Sequence, residues 1–181
     1  MGRALISSLN TLLLCITAWA LSAGFAAADS LGDDPHSGPA MNYHEIDSRL
    51  ATGGHFVDGG LEAIRKKGVE VVIDLRDKPP KGQKERLAEI GIEWISVPVV
   101  WKDPRPIDFE RFSAAMSANK DKNVLVQCQA NYRASAFTYL YRVKQQGLPD
   151  EVAANDLNAI WEPDGRWRKY MDAVLNANQV K

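Results

Sequence analysis

Short apolar runs of strand length alternate with helical segments along most of this chain, and that alternation constrains its fold more than any other feature. Val71-Val-Ile-Asp-Leu75 and Val124-Leu-Val126 have the length and the β-branched content of strands buried on both faces. Arg49-Leu-Ala-Thr52 and Ile92 to Val97 supply two further strand candidates. Helical patterns lie between them. One carries Leu61 and Ile64, with Asp58 as its expected cap and Gly68 as its stop; another runs from Lys84 to Ile90 and ends at Gly91. A third places Phe109, Phe112 and Met116 at helical spacing, with Asp108 as its expected cap. After Val126 the chain is helical: Phe137, Leu140 and Tyr141, then Ala153, Leu157 and Ile160, then Trp167, Tyr170, Met171, Val174 and Leu175. Strands separated by helices need crossover connections. The expected fold is therefore α/β, a largely parallel central sheet flanked by helices, with a helical C-terminal third.

The N-terminal residues read differently. Arg3 opens a Leu/Ala/Ile-rich stretch reaching about Leu21, and Ala26-Ala27-Ala28 offers small residues where a signal peptidase cuts. Residues 1–28 are expected to be a secretory signal peptide, which makes the protein periplasmic or secreted. An uncleaved membrane anchor is the alternative, because about 20 apolar residues span a bilayer. Residues 29–41, with Gly32, Pro35, Gly38 and Pro39, form an expected flexible leader, and residues 42–181 form one domain. Cleavage removes Cys15 and leaves Cys128 as the sole thiol, so no intramolecular disulfide is available. Without Arg3 the formal charge of −1 becomes −2. No basic block points to nucleic acid, no His or Cys tract to a metal, and no cofactor is expected.

The chemistry concentrates where the last strand ends. Val124-Leu-Val-Gln-Cys128-Gln-Ala-Asn-Tyr-Arg133 runs from an apolar strand through a tight polar turn into a helix. Backbone N–H groups at such a junction have neither strand nor helix acceptors and can converge on an anion. The same field favours an ionised thiol. Cys128 at the base is the candidate nucleophile, and Arg133 can hold two oxygens of a tetrahedral anion in a planar fork. Gln129, Ala130, Asn131, Tyr132, Arg133 and Ser135 make up the candidate anion cradle. In parallel sheets ligands bind beyond the carboxyl ends of strands, so the loop holding Trp101, Lys102 and Asp103 is expected to share this crevice.

Together with Leu50-Ala-Thr-Gly-Gly54 and Val72-Ile-Asp-Leu-Arg76, this motif resembles the bacterial dual-specificity and tyrosine-phosphatase-like proteins, in particular the beta-lactamase-hydrolase-like phosphatase branch. The resemblance covers about Tyr43 to Met171. It implies that Cys128 forms a cysteinyl-phosphate, that Arg133 binds the phosphoryl oxygens and that Asp103 is the general acid. The partner would be a phosphorylated protein or a small phosphomonoester, with no stable membrane insertion after signal cleavage.

The chain departs from that family at defined positions. Four residues, not five, separate Cys128 from Arg133; Gln127 stands where histidine is usual; and Ala134 replaces a hydroxyl residue, with Ser135 one place later. Asn131 replaces the customary loop glycine, and asparagine tolerates positive φ better than most residues. Four-residue spacing is also that of rhodanese-type sulfurtransferases, whose cysteine carries a persulfide. Sulfur transfer and a catalytically weak phosphate-binding module therefore stand beside the phosphatase reading. Asp74 and Arg76 are read as stabilising their strand end, and His36, His44 and His55 lack metal-ligand spacing.

Overall fold

The computed structural model describes residues 36–177. The expected signal segment, the leader as far as residue 35 and the last four residues lie outside the described residues. The described chain runs β1 (His44–Glu45), β2 (Leu50–Gly53), α1 (Gly60–Lys66), β3 (Val71–Arg76), α2 (Gln83–Glu89), β4 (Glu93–Val99), α3 (Pro106–Ala118), β5 (Val124–Gln127), α4 (Tyr132–Lys144), α5 (Asp150–Asn158) and α6 (Gly165–Asn176). Its sheet has the order β1-β2-β5-β3-β4, and β2, β5, β3 and β4 are mutually parallel. β1 is antiparallel and only two residues long. The expected mixed α/β architecture with a helical C-terminal region is observed.

Side-chain parity sorts the central strands into two layers. Val71, Ile73, Leu75, Val124 and Val126 belong to a large core with Phe109, Phe112, Phe137, Leu140, Leu157, Trp167 and Met171. That core lies between the sheet and α3, α4, α5 and α6. Val72, Leu125 and Ala51 point the other way, into a smaller cluster with Ile64 of α1, Leu87 of α2 and Ile92. Helix α4 is buried from Arg133 to Arg142, so it is the central support of the large layer.

Two helix starts differ from expectation. The residue before α1 is Gly59, at φ 74°, rather than Asp58. Gly60 then comes so close to Pro39 that a Cβ on it would lie 2.1 Å from the Pro39 carbonyl oxygen, so the chain can enter the helix there only through glycine. In α3, Pro106 takes the first helical position and Asp108 the third, from which its carboxylate accepts the Arg105 backbone N–H at 2.9 Å. Among the described residues no helix is long and apolar enough to cross a membrane.

Candidate active site

Strand register brings the loops together. Thr52 pairs with Val126, Gly53 with Gln127 and Asp74 with Gln127, so β2, β5 and β3 end at one level. A shift between Asp74 and Arg76 then sets Arg76 opposite Val99. The loops after β2, β3, β4 and β5 consequently emerge side by side, as the sequence led us to expect for the loops bearing Cys128 and Asp103.

Cys128 is 1% exposed, and its backbone N–H donates to Gly53 O at 3.0 Å. Beyond it, three successive carbonyls are tied to the surrounding protein. Gln129 O accepts from His55 N and His55 Nδ1, both at 3.0 Å. Ala130 O accepts from Asn42 Nδ2 at 3.1 Å, and Asn131 O from Ser135 N and Ser135 Oγ, both at 2.8 Å. Among the described residues no peptide is cis, so the N–H following each tethered carbonyl points the opposite way. The N–H groups of Ala130 and Tyr132 therefore face the open side of the loop. Among the described residues, those of Gln129, Ala130, Tyr132 and Arg133 have no acceptor, which suits a cradle for an anion.

Asn131 makes the tight turn possible. It sits at φ 68°, is fully buried, and donates through Nδ2 to Asn42 O (2.6 Å) and Thr52 Oγ1 (2.9 Å). The positive φ expected at Asn131 is observed, with its side chain also pinning the turn to β2. Ser135 is buried, and its hydroxyl hydrogen is shared between the Asn131 and Tyr132 carbonyls at 2.8 and 3.1 Å. That places Ser135 as a prop behind the cradle. Tyr132 is exposed at the rim, its ring stacked on Trp161 at 5.0 Å.

Arg133 is 7% exposed, and its Nη1 donates to Val99 O at 2.6 Å and to Asp77 Oδ1 at 3.1 Å. Asp77 follows β3 directly, and sequence reasoning passed over it. The signal was present: it occupies the carboxyl end of a buried parallel strand, where ligand sites form. Burial pushes the Asp77 carboxyl up, but the Arg133 hydrogen bond, a backbone N–H of its own loop and the charges of Arg133 and Lys78 outweigh it. The net effect holds Asp77 below the usual carboxylate range, which suits an ionised partner better than a proton donor at neutral pH.

Asp103 lies on the exposed turn after β4, with its N–H bonded to Val100 O at 3.0 Å. Trp101 docks this turn. Its ring lies 4.9 Å from Trp167, 5.7 Å from Trp161 and 6.2 Å from Tyr132. The Asp103 loop and the Cys128 loop are thus joined twice, through Arg133–Val99 and through this aromatic group, into which Trp161 also falls.

Gln127, Asp74 and Arg76 share the smaller face of the sheet. Asp74 accepts Arg76 Nη2 at 2.6 Å, Gln83 Nε2 at 3.0 Å and Trp94 Nε1 at 3.3 Å. Gln127 Oε1 accepts from Gln83 Nε2 (2.7 Å) and Arg76 Nη2 (3.1 Å), while its Nε2 donates to Gly54 O at 3.0 Å. Gln127 therefore braces the base of the Cys128 loop and contributes no charge to it. Of the other histidines, His44 Nε2 lies 2.7 Å from Asp156. Among the described residues no group of three or more His, Cys, Asp or Glu is placed to hold a metal.

Gly54 is where the β2 loop touches this cradle. A Cβ there would meet Gln129 O at 2.8 Å, Met41 O at 2.9 Å and Ala130 Cα at 3.0 Å, all backbone atoms. Gly54→Ala should therefore displace the loop, costing about 1–3 kcal/mol of stability and weakening anion binding in the cradle. Thermal unfolding and calorimetry with inorganic phosphate check this; unchanged values in both would show that the contact yields freely.

A family model described as "DSP-PTPase phosphatase fused to NAD+ Kinase" matches residues 25–169. No curated protein matches the chain. Among solved structures, the DUF442 protein of Shewanella putrefaciens CN-32, assigned as a phosphatase, is 31% identical, with 77% of this chain and 89% of that one covered and a TM-score of 0.66. Human DUSP28 is 20% identical over 76% of this chain and 96% of its own, with a TM-score of 0.62. P. aeruginosa TpbA is 17% identical over 73% and 84%, with a TM-score of 0.61. At those last identities the likeness is one of fold. The family match spans most of the chain and agrees with the 31% identical relative, and on that ground this protein belongs to the dual-specificity and tyrosine-type (DSP-PTPase) phosphatases.

Proposed function

We propose that this protein is an exported, cysteine-dependent phosphatase that hydrolyses phosphomonoesters through a cysteinyl-phosphate on Cys128. The observation that carries the reading is the cradle itself: the tethered carbonyls of Gln129, Ala130 and Asn131 turn backbone N–H groups toward the open side, between Cys128 and Arg133. The Cys128 thiolate attacks phosphorus while the bond to the leaving oxygen breaks, and the Asp103 carboxyl gives that oxygen its proton. Water then attacks the cysteinyl-phosphate and returns a proton to Asp103, releasing inorganic phosphate and the thiolate. The cradle N–H groups and Arg133 bind the equatorial oxygens, where charge accumulates in the transition state.

The substrates we assign are phosphorylated proteins or small phosphomonoesters. TpbA has been solved with pTyr, and the similar S. cerevisiae SIW14 core is a PP-IP phosphatase. Trp101 and Tyr132, 39% and 36% exposed at the rim, offer apolar surface to an aryl leaving group. Residues 1–28 support export by their signal-peptide pattern.

Aryl phosphate hydrolysis in the presence of a chelator, run beside thiosulfate-to-cyanide sulfur transfer, tests the reading. Phosphate release without sulfur transfer is the expected result; sulfur transfer alone would replace it with a persulfide mechanism. Asp103→Ala should slow an alkyl phosphate by about a hundredfold or more, and a nitrophenyl phosphate far less, because the better leaving group needs no proton. Equal losses on both substrates would remove Asp103 as the acid.

A further inference from the structure

Arg133 carries five N–H donors, and among the described residues only those of Nη1 are engaged. One bond goes to Val99 O and the other to Asp77 Oδ1, which uses up the two hydrogens on that nitrogen. The remaining edge, Nε with Nη2, presents two parallel donors at the spacing that matches two oxygens of a tetrahedral anion. We infer that Asp77 is a positioning residue: with Val99 O it clamps the Arg133 guanidinium from behind, so that its Nε–Nη2 edge is fixed toward the oxyanion in the Cys128 cradle. This inference rests on the phosphate chemistry proposed for that cradle.

The arrangement argues against two other roles. A competitor for the anion would occupy the bidentate edge, whereas Asp77 reaches Arg133 only at Nη1. A proton donor would need to be protonated, whereas Arg133 holds Asp77 in the ionised range. The clamp also has a structural cause. β3 and β4 are registered with Arg76 opposite Val99, so the residue after β3 and the last carbonyl of β4 flank the same point. Arg133, in the first turn of α4, reaches back to that point. Fixing the arginine in advance removes an ordering cost from anion binding, and small displacements of such groups are costly to rate.

Positioning and plain electrostatics give opposite signs. Asp77 places a negative charge near an anion site, so removing it should tighten phosphate binding if the carboxylate only repels or competes. If it positions Arg133, its removal should weaken binding. The test is inorganic phosphate affinity by calorimetry, with kcat and KM on an aryl phosphate, for the wild type and for Asp77→Ala, Asp77→Asn and Asp77→Glu. Each is repeated with Arg133→Ala. Phosphate binding and kcat/KM should both fall by about tenfold or more in Asp77→Ala, with partial recovery in Asp77→Glu. In the Arg133→Ala background the same change should have little effect, because its target is gone. Unchanged or tighter phosphate binding in Asp77→Ala, with the Asn variant agreeing, overturns the clamp, as does an equal loss in both backgrounds. Absence of Arg133-dependent phosphate binding in the wild type would instead overturn the phosphate reading of the loop, and the clamp with it.

Discussion

The Cys128→Ser protein is expected to bind inorganic phosphate and to hydrolyse no phosphomonoester, with turnover reduced by about 10⁴-fold or more. The difference is chemical. A serine hydroxyl is a weak nucleophile with no base in hydrogen-bond reach among the described contacts, whereas sulfur is intrinsically the stronger nucleophile toward phosphorus and the better leaving group from it. The binding elements survive the exchange, because the cradle is made of backbone. The Cys128 N–H to Gly53 O bond, the tethers on Gln129, Ala130 and Asn131, and the Nη1 bonds of Arg133 involve no sulfur. Calorimetry should therefore report phosphate affinity close to that of the wild type. Acid-quenched wild type should carry a phosphoryl adduct on Cys128 that the variant lacks. Arg133→Ala should show the reverse pattern, a loss of phosphate binding with the nucleophile still present. Undiminished turnover in Cys128→Ser would remove the covalent mechanism altogether.

The parts of this site that could be read from the sequence are those set by local rules. Strand parity already separates Val124, Val126 and Cys128 from Leu125 and Gln127; the structure puts the first three in the large core and Leu125 in the smaller one, and bonds Gln127 to Gln83 and Arg76. The junction of a buried strand with a helix announces the unpaired N–H groups, and Asn131 announces the left-handed turn that it adopts at φ 68°. Other parts depend on which loops meet, which no local pattern specifies. The Arg133–Asp77 pair spans β5, α4 and the loop after β3, and it exists because of a register shift between β3 and β4. Trp161 lies beyond α5 and joins the rim only because α5 and α6 fold back over α4. β1 has two residues, too few to carry a period. Gln127 shows the limit most directly. By position it stands for a missing histidine, but what it does follows from Gln83, Arg76 and Gly54, which come from three other segments.

Asp74→Ala is expected to cost about 3–5 kcal/mol of stability, far more than loss of an exposed ion pair on this protein. Asp74 is fully buried and Arg76 is 3% exposed, so removing the carboxylate leaves a guanidinium without its counter-charge inside the smaller layer. The remaining acceptors, Gln83 Oε1 and Gln127 Oε1, are neutral, and Gln127 already receives the Gln83 amide. Desolvation of the cation is then unopposed by any charge. The Lys122–Glu93 pair provides the contrast: its side chains are 42% and 54% exposed, and Lys122→Ala should change stability by only about 0–1 kcal/mol. Equilibrium urea unfolding measures both, with a lower midpoint at unchanged slope as the signature of a true stability loss. One structural outcome would defeat the expectation. Arg76 lines a groove with His55, Arg86 and Gln129, and a guanidinium that swung into it would recover water. An Asp74→Ala protein within about 1 kcal/mol of the wild type would mean that it does so. In that event the Gln127–Gly54 brace would lose its packing partner, so phosphate turnover should fall even though the fold holds.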